Sequence, residues 1–443
     1  MPACDTLIHA RWSVPVEPEG LILENQAVAI ADGRIQAMLP SADAERTFQS
    51  ESVIRLAEHV LIPGLVNTHT HAAMSLLRGL ADDLPLMAWL ENHIWPAERA
   101  LVNEQFSHDG SQLAMAEMLR GGTTCFNDMY FYPEATARAA SACGMRASVG
   151  LILIDFPTTY AADAEEYLAK GLALHDRYRN DPLISCAFAP HAPYSVSDAP
   201  LRKIRMLADE LEVPIHMHIH ETAGEVAHSV QQCGLRPLER LRRLGLAGPD
   251  LLAVHMTQLT DAEMREIADD GVHVLHCPES NLKLASGFCP VQKLLDLGVN
   301  VALGTDGAAS NNDLDMFGEM RTAALLAKAV HQDAGALPAA RALRMATLNG
   351  ARALGLGDQI GSLTPGKWAD ICAVALDRPE TQPVFDPISQ LIYSAGREQV
   401  TDVWVAGQHV LRERQLTTLD EDDILRRTRE WQTLAATFHT PVK

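Results

Sequence analysis

The amino-acid sequence predicts an α/β fold, a (β/α)₈ barrel with a small β-sandwich domain built from both chain ends. Three observations predict it. Between about residues 60 and 360, short apolar strands alternate with longer helical segments, the pattern of a parallel sheet covered by helices. Before and after that stretch the sequence is strand-like. Several of the middle strands also end in a polar residue, histidine above all, and the C-terminal strand ends are where barrels of this kind carry chemistry.

Residues 1–59 read as the first part of the small domain, with "DTLIHARWSVPV" followed by "NQAVAIADGRIQAML" and its Asp32-Gly33 turn. Residues 60–362 read as the barrel. Its eight candidate strands are "HVLIPGLVNTH", "TTCFNDM", "RASVGLIL", "ISCAFAPHA", "VPIHMHIHE", "LLAVHM", "VHVLHCP" and "NVALGTDG". Helical pieces such as "DGSQLAMAEMLRGG" and "DAEMREIADDG" lie between them, several closed by a capping Gly. A doubly wound open sheet is the competing architecture, but no G-x-G-x-x-G fingerprint opens any helix. Residues 363–443 return to strands, "GSLTPGKWADICAVAL" and "VTDVWVAGQHVL", expected to pair with the N-terminal ones. A charged terminal helix, "DEDDILRRTREW", reads as a solvated face.

A chain of 443 residues accommodates one large domain plus a small one. Its 36 Lys and Arg against 57 Asp and Glu give a formal net charge of -21, which argues against nucleic acid as a partner. The 8 Cys form no C-x-x-C pair and read as reduced, mostly buried thiols. The start "MPACDTLIHA" has no secretory leader and no apolar stretch is long enough to span a membrane, so the expected location is the cytoplasm.

The chemistry begins at "PGLVNTHTHA". Side chains at i and i+2 on a strand share a face, so His69 and His71 aim two imidazoles at one point. With 18 histidines in the chain, that pair alone is weak, and a single strand-end histidine is usually a satisfied core or rim residue. Five of the eight strands, however, carry such a residue: strand one, strand four (His191), strand five ("HMHIHE"), strand six (His255) and strand eight (Asp306). Several imidazoles and a carboxylate converging without a metal would leave buried polar groups short of partners. On strand five, His216, His218 and His220 share one face, and spacing does not choose among them, although a rise of about 3.3 Å per residue prevents all three from reaching one ion. Glu221 follows, placed to overhang the site.

The joint pattern of "PGLVNTHTH", H-x-x-E on strand five, the strand-six His, "GTDG" and "GSLTPGKWADI" resembles the amidohydrolase superfamily over essentially the whole chain. Within it, "MAWLENHIWPAE", "APHAPYSVSD", "HIHETAGEV" and "CPESNLKLASG" are similar to the 5-methylthioadenosine/S-adenosylhomocysteine deaminases. The resemblance implies that the metal-binding His lies three residues before the Glu, selecting His218 with Glu221. It implies a ligand set of His69, His71, His218 and Asp306 around one divalent ion, zinc first, because strand four lacks the bridging Lys of the two-metal hydrolases. His216, His220 and His276 are then structural. The ion would bring the pKa of its water towards neutrality.

The implied reaction is hydrolytic deamination of an adenine nucleoside to an inosine-type product and ammonia. Glu221 would carry a proton to the ring nitrogen, Asp306 would take one from the water and His255 would steady the nucleophile. Trp89 matches a stacking residue, Glu98 a carboxylate for ribose hydroxyls and His191 a substrate-binding His. Glu98 has the alternative of a first-turn helix carboxylate. Arg146 is read as meeting a charged tail at the mouth, with a salt bridge ahead of strand three as the alternative. After strand three no Arg or Lys occurs until Lys170, which favours 5-methylthioadenosine over S-adenosylhomocysteine, with adenosine a further substrate. The expected partner is therefore a small nucleoside, with a homo-oligomer left open. Rivals are a guanine deaminase, an aminotriazine or chlorotriazine hydrolase and, remotely, a non-catalytic scaffold barrel. The H-x-E with P-C-x-x-C design of other zinc deaminases is absent.

Overall fold

Each of the eight apolar runs contributes a strand to one parallel sheet in the computed structural model, which describes residues 1–439. In chain order the strands are Leu65–Thr70, Thr123–Asp128, Arg146–Leu153, Ile184–Pro190, Ile215–Ile219, Leu251–His255, His273–His276 and Val301–Leu303, called strands one to eight below. Neighbours in sequence are neighbours in the sheet. The two ends meet: Thr68 Oγ1 donates to the Leu303 carbonyl at 2.8 Å, and the Asp306 N–H to the His69 carbonyl at 3.0 Å. A parallel sheet closed in this way, with helices on its connections, is the expected barrel. Val66, Cys125, Leu252, Val254, Leu275 and Ala302 pack as one fully buried cluster, so apolar side chains fill it.

The chain ends build a second, mixed sheet. Gln49–Pro63 pairs parallel with Ala3–Ser13 on one side and antiparallel with Ile371–Ala375 on the other, which joins the first and last parts of the chain. Leu23–Ala31 and Arg34–Pro40 extend one side, and Val400–Val405, Gln408–Arg412 and Gln415–Leu416 the other.

The apolar run expected as one strand divides at Gly64. "HVLIP" finishes the mixed sheet, past the expected boundary at residue 59, and "LVNTHT" begins the barrel. Only glycine fits the pivot: a Cβ there would lie 2.1 Å from Thr124 Oγ1.

The terminal helix, Glu421–Ala435, departs from its expected role as a solvated face. It docks on the barrel helix Glu104–Arg120, where Trp431 donates to Asp109 Oδ2 at 2.9 Å and packs edge-on against Phe106. Arg427 pairs with the same carboxylate and donates to Gln112 Oε1 at 2.6 Å. Asp109 is buried, and the terminal helix supplies its cationic partner, which a charge pattern alone does not reveal. Among the described residues, no helix is long and apolar enough to cross a membrane. Seven of the eight cysteines are buried and all are free.

Candidate active site

The C-terminal ends of the strands open into a cavity of about 720 Å³. His71, His218 and Asp306 lie on its lining together with Glu221 and His255, and His69 is fully buried directly behind them. His69 sits in strand one and His218 in strand five; His71 and Asp306 follow the ends of strands one and eight. Close approach of strands one and eight depends on Gly304, where a Cβ would fall 2.7 Å from the His69 nitrogen.

One ligand atom from each of His69, His71, His218 and Asp306 falls within 4.8 Å of all the others. Asp306 Oδ1 lies 3.2 Å from both His69 Nε2 and His71 Nε2, and His218 Nε2 lies 3.1 Å from His69 Nε2. The far nitrogens are all engaged. His71 Nδ1 faces the Met129 carbonyl at 2.6 Å and His218 Nδ1 faces the His191 carbonyl at 2.9 Å. A carbonyl accepts only from N–H, so the neutral form of each ring turns a bare Nε2 lone pair to the common centre, the tautomer a metal requires. His69 Nδ1 meets His216 Nε2 at 2.9 Å, so the deeper strand-five histidine supports a neighbour. Three imidazole Nε2 atoms and a carboxylate oxygen gathered at one point fit a divalent cation.

Electrostatics agree with that donor set. Burial lowers His69 to about 4 and His191 to about 3, and burial with the surrounding imidazoles keeps His218 well below the ordinary range. Burial also works against a charged His71, but the hydrogen bond and charge of Asp306 prevail and raise it to about 9. Asp306 resists its own burial through hydrogen bonds from His69 and His71, so its carboxyl stays well below the usual range. Ser280 Oγ and Ser310 Oγ donate to Asp306 Oδ2 at 2.6 and 2.9 Å, leaving Oδ1 towards the histidines.

Two further groups flank the centre. Glu221 is buried, which raises its carboxyl above the ordinary glutamate range, and its Oε2 lies 3.8 Å from His255 Nε2. Its backbone N–H donates to Glu225 Oε2 at 2.7 Å. His255 ends strand six with a left-handed φ of 72°, and its Nδ1 contacts Asn281 Oδ1 at 2.9 Å. Such a backbone conformation is strained for a non-glycine residue and aims the ring into the site.

Trp89, Glu98 and His191 also line the cavity, the His191 ring centroid 4.9 Å from that of His218. Trp89 is buried with its indole N–H on the Ala81 carbonyl at 3.0 Å. Burial raises Glu98 to about 7, against the pull of the Tyr130 hydroxyl, which donates to Oε1 at 2.8 Å. His276 is buried away from the cavity lining, as are His216 and His220.

Arg146 is the correction. It begins strand three, at the end of the barrel opposite the cavity. There it is buried, with Nε and Nη2 on the Asp370 carboxylate at 3.1 and 3.2 Å and Nη1 on the Pro182 carbonyl. Leaving a buried carboxylate without its partner costs about 3–5 kcal/mol. Arg146→Met is therefore expected to lower stability by about that amount while leaving the KM of the folded enzyme unchanged, as thermal denaturation and steady-state kinetics will report. The cation that does line the cavity is Arg99, which sequence reasoning missed, as it missed Tyr130 and Asn281. Tyr130 follows strand two, so its place at a C-terminal strand end was the available signal.

Residues 60–410 match the sequence profile of the amidohydrolase family. A 5-methylthioadenosine/S-adenosylhomocysteine deaminase of Saccharophagus degradans is 51% identical over 97% of this chain and 96% of its own length. Its counterpart in Teredinibacter turnerae is 49% identical over 97% of each chain. The crystal structure of an adenosine deaminase from Xanthomonas campestris with bound zinc superposes with a TM-score of 0.97, at 56% identity over 98% of this chain and 99% of that one. An atrazine chlorohydrolase from Arthrobacter aurescens (TM-score 0.89, 24% identity, covering 96% of this chain and 100% of that one) shares the fold alone. The guanine deaminase of E. coli does likewise, with a TM-score of 0.82 and 23% identity over 93% and 100%.

Proposed function

The chain belongs to the amidohydrolase family, and from that premise we propose that it hydrolytically deaminates adenine nucleosides, 5-methylthioadenosine first. One observation carries the proposal: a single cavity brings together a four-ligand centre, Glu221, His255 and a further carboxylate, Glu98, that is not one of the ligands. That layout suits a molecule with a base to be attacked and a diol to be held. Relatives at 51% and 49% identity, described as 5-methylthioadenosine/S-adenosylhomocysteine deaminases, support it, whereas guanine deaminase and triazine hydrolases share only the fold.

In this reading His69, His71, His218 and Asp306 hold one divalent ion, zinc by its donor set and by the zinc in the related Xanthomonas structure. When bound, such an ion acidifies a water and so supplies the nucleophile at neutral pH. Asp306 accepts a proton from the attacking water, and its serine donors fix which oxygen does so. His255, whose Nδ1–H is held by the Asn281 amide oxygen, turns its bare Nε2 to the cavity and accepts a hydrogen bond from the incoming water. Glu221 delivers a proton to the ring nitrogen that gains electron density as the C–O bond forms. Asp306 returns its proton to the amino group, which leaves as ammonia, and the added hydroxyl gives its proton back to Glu221 as the carbonyl of an inosine-type base forms. Burial of Glu221 lets its carboxyl keep that proton to a higher pH than an exposed glutamate would. His191 and Trp89 border the base, and Glu98 accepts hydrogen bonds from the ribose hydroxyls.

The apolar lining favours an uncharged 5′ substituent. Ile152, Ile154, Phe156, Met87 and Leu90 line the cavity, and Arg99 is the one Lys or Arg among the described lining residues. Lys170, the nearest cation after strand three in sequence, pairs instead with Glu166 at 2.8 Å.

The decisive experiment measures ammonia release from 5-methylthioadenosine by the zinc-loaded protein, with a chelator-treated control. Chelator-sensitive turnover, with S-adenosylhomocysteine and adenosine slower, is the expected result. No turnover by protein that demonstrably binds the ion would overturn the substrate and turn attention to guanine and aminotriazines. A pH dependence accompanies it. Ribose binding needs the Glu98 carboxylate, whose pKa is raised to about 7, so KM falls as pH rises from 6 to 8. Glu98→Gln is expected to flatten that profile.

A further inference from the structure

We infer that Tyr130 is the positioning residue for ribose recognition, its hydroxyl fixing the Glu98 carboxylate at a set place relative to the catalytic centre. The inference rests on the reading of Glu98 as the ribose acceptor.

Tyr130 is buried at 4% exposure and donates to Glu98 Oε1 at 2.8 Å. Among the described residues, that is the only hydrogen bond the carboxylate makes. Glu98 stands on the short helix Trp95–Leu101, which lies outside the barrel strands. Three rotatable bonds separate its carboxylate from the backbone, so the helix alone does not determine where the oxygens lie. The Tyr130 hydroxyl occupies one lone pair of Oε1 and leaves Oε2 and a second lone pair for two ribose hydroxyls.

The segment that presents Tyr130 also holds strand one. Asp128 Oδ1 accepts from Thr70 Oγ1 at 2.9 Å and from the Ala72 N–H at 2.7 Å. The Met129 carbonyl accepts from His71 Nδ1 at 2.6 Å. Three consecutive residues at the end of strand two thus grip the end of strand one, a ring of the four-ligand centre and the carboxylate at the ribose end. The span between the reacting carbon and the ribose hydroxyls is set by one rigid tripeptide. Positioning of this kind acts on binding and leaves the chemical step intact.

The test compares Tyr130→Phe, Glu98→Gln and the double variant. Each is assayed with 5-methylthioadenosine as substrate and with 2′,3′-dideoxyadenosine, which lacks both hydroxyls, as a competing alternative substrate whose inhibition constant equals its own KM. Metal content verifies an intact centre. Tyr130→Phe keeps the ring and its packing, so only the hydroxyl is examined. The expected result is a KM for 5-methylthioadenosine raised about tenfold with kcat within about twofold, the scale of one hydrogen bond and one immobilised side chain. The inhibition constant of the dideoxynucleoside stays unchanged, and the double variant is no worse than Glu98→Gln alone. Equal shifts for both nucleosides, no shift for either, or additive losses in the double variant would overturn the inference. If Glu98→Gln itself fails to discriminate the two nucleosides, the ribose reading of Glu98 falls instead.

Discussion

Glu221→Gln lowers kcat by about 10²–10⁴-fold, the usual contribution of a positioned acid–base group, while KM and metal content stay near wild type. The amide is nearly isosteric, so the cavity keeps its shape and the ligand set of His69, His71, His218 and Asp306 is untouched. On the proposed mechanism, what is lost is the proton for the ring nitrogen. Glu221 is buried beside His255 and faces the cavity. Steady-state kinetics with metal analysis on the same sample provide the check. A kcat within tenfold of wild type would remove Glu221 from the proton path.

The second large effect is on the ion itself. His218→Ala is expected to weaken metal binding by more than about 100-fold, exceeding the 10–100-fold typical of losing a residue that merely holds a ligand. Turnover falls to that of chelator-treated enzyme. The variant also removes the ring that bridges the His191 carbonyl and the centre, so the substrate end loosens as well. Competition against a chromophoric chelator measures the affinity directly. Acid has the same direction of effect. In the metal-free protein His71 is raised to about 9 by Asp306, so metal binding releases a proton at neutral pH and weakens as pH falls.

Much of this site was legible before any coordinates. The i, i+2 spacing put His69 and His71 on one face, and recurrence at the ends of five strands marked a shared level. What spacing left open on strand five, height along the strand decides. His218 reaches the centre, while His216, two residues deeper, meets His69 Nδ1 instead. Groups that hold other groups escaped notice, because a serine on Asp306 or a tyrosine on Glu98 leaves no periodic trace. Arg146 misled for a simpler reason: it opens its strand, and parallel barrels keep their chemistry at the opposite strand ends. The terminal helix showed its charge but not the buried carboxylate waiting across the chain. The small sheet was foreseeable because both chain ends alternate in the manner of half-buried strands.

That sheet imposes an order on biosynthesis. The strand Gln49–Pro63 needs Ile371–Ala375 as its second neighbour, and passes through Gly64 directly into the strand bearing His69. A ribosome delivers the first of these long before the second. Until residue 371 emerges, the short apolar edge at residues 59–63 stands unpaired, the kind of exposed strand that recruits chaperones or aggregates. Stalled nascent chains ending before that point are expected to be cleaved within residues 49–63 by added protease, and chains released at full length to resist. Protection of the shorter chains would mean that the N-terminal strands are stable alone.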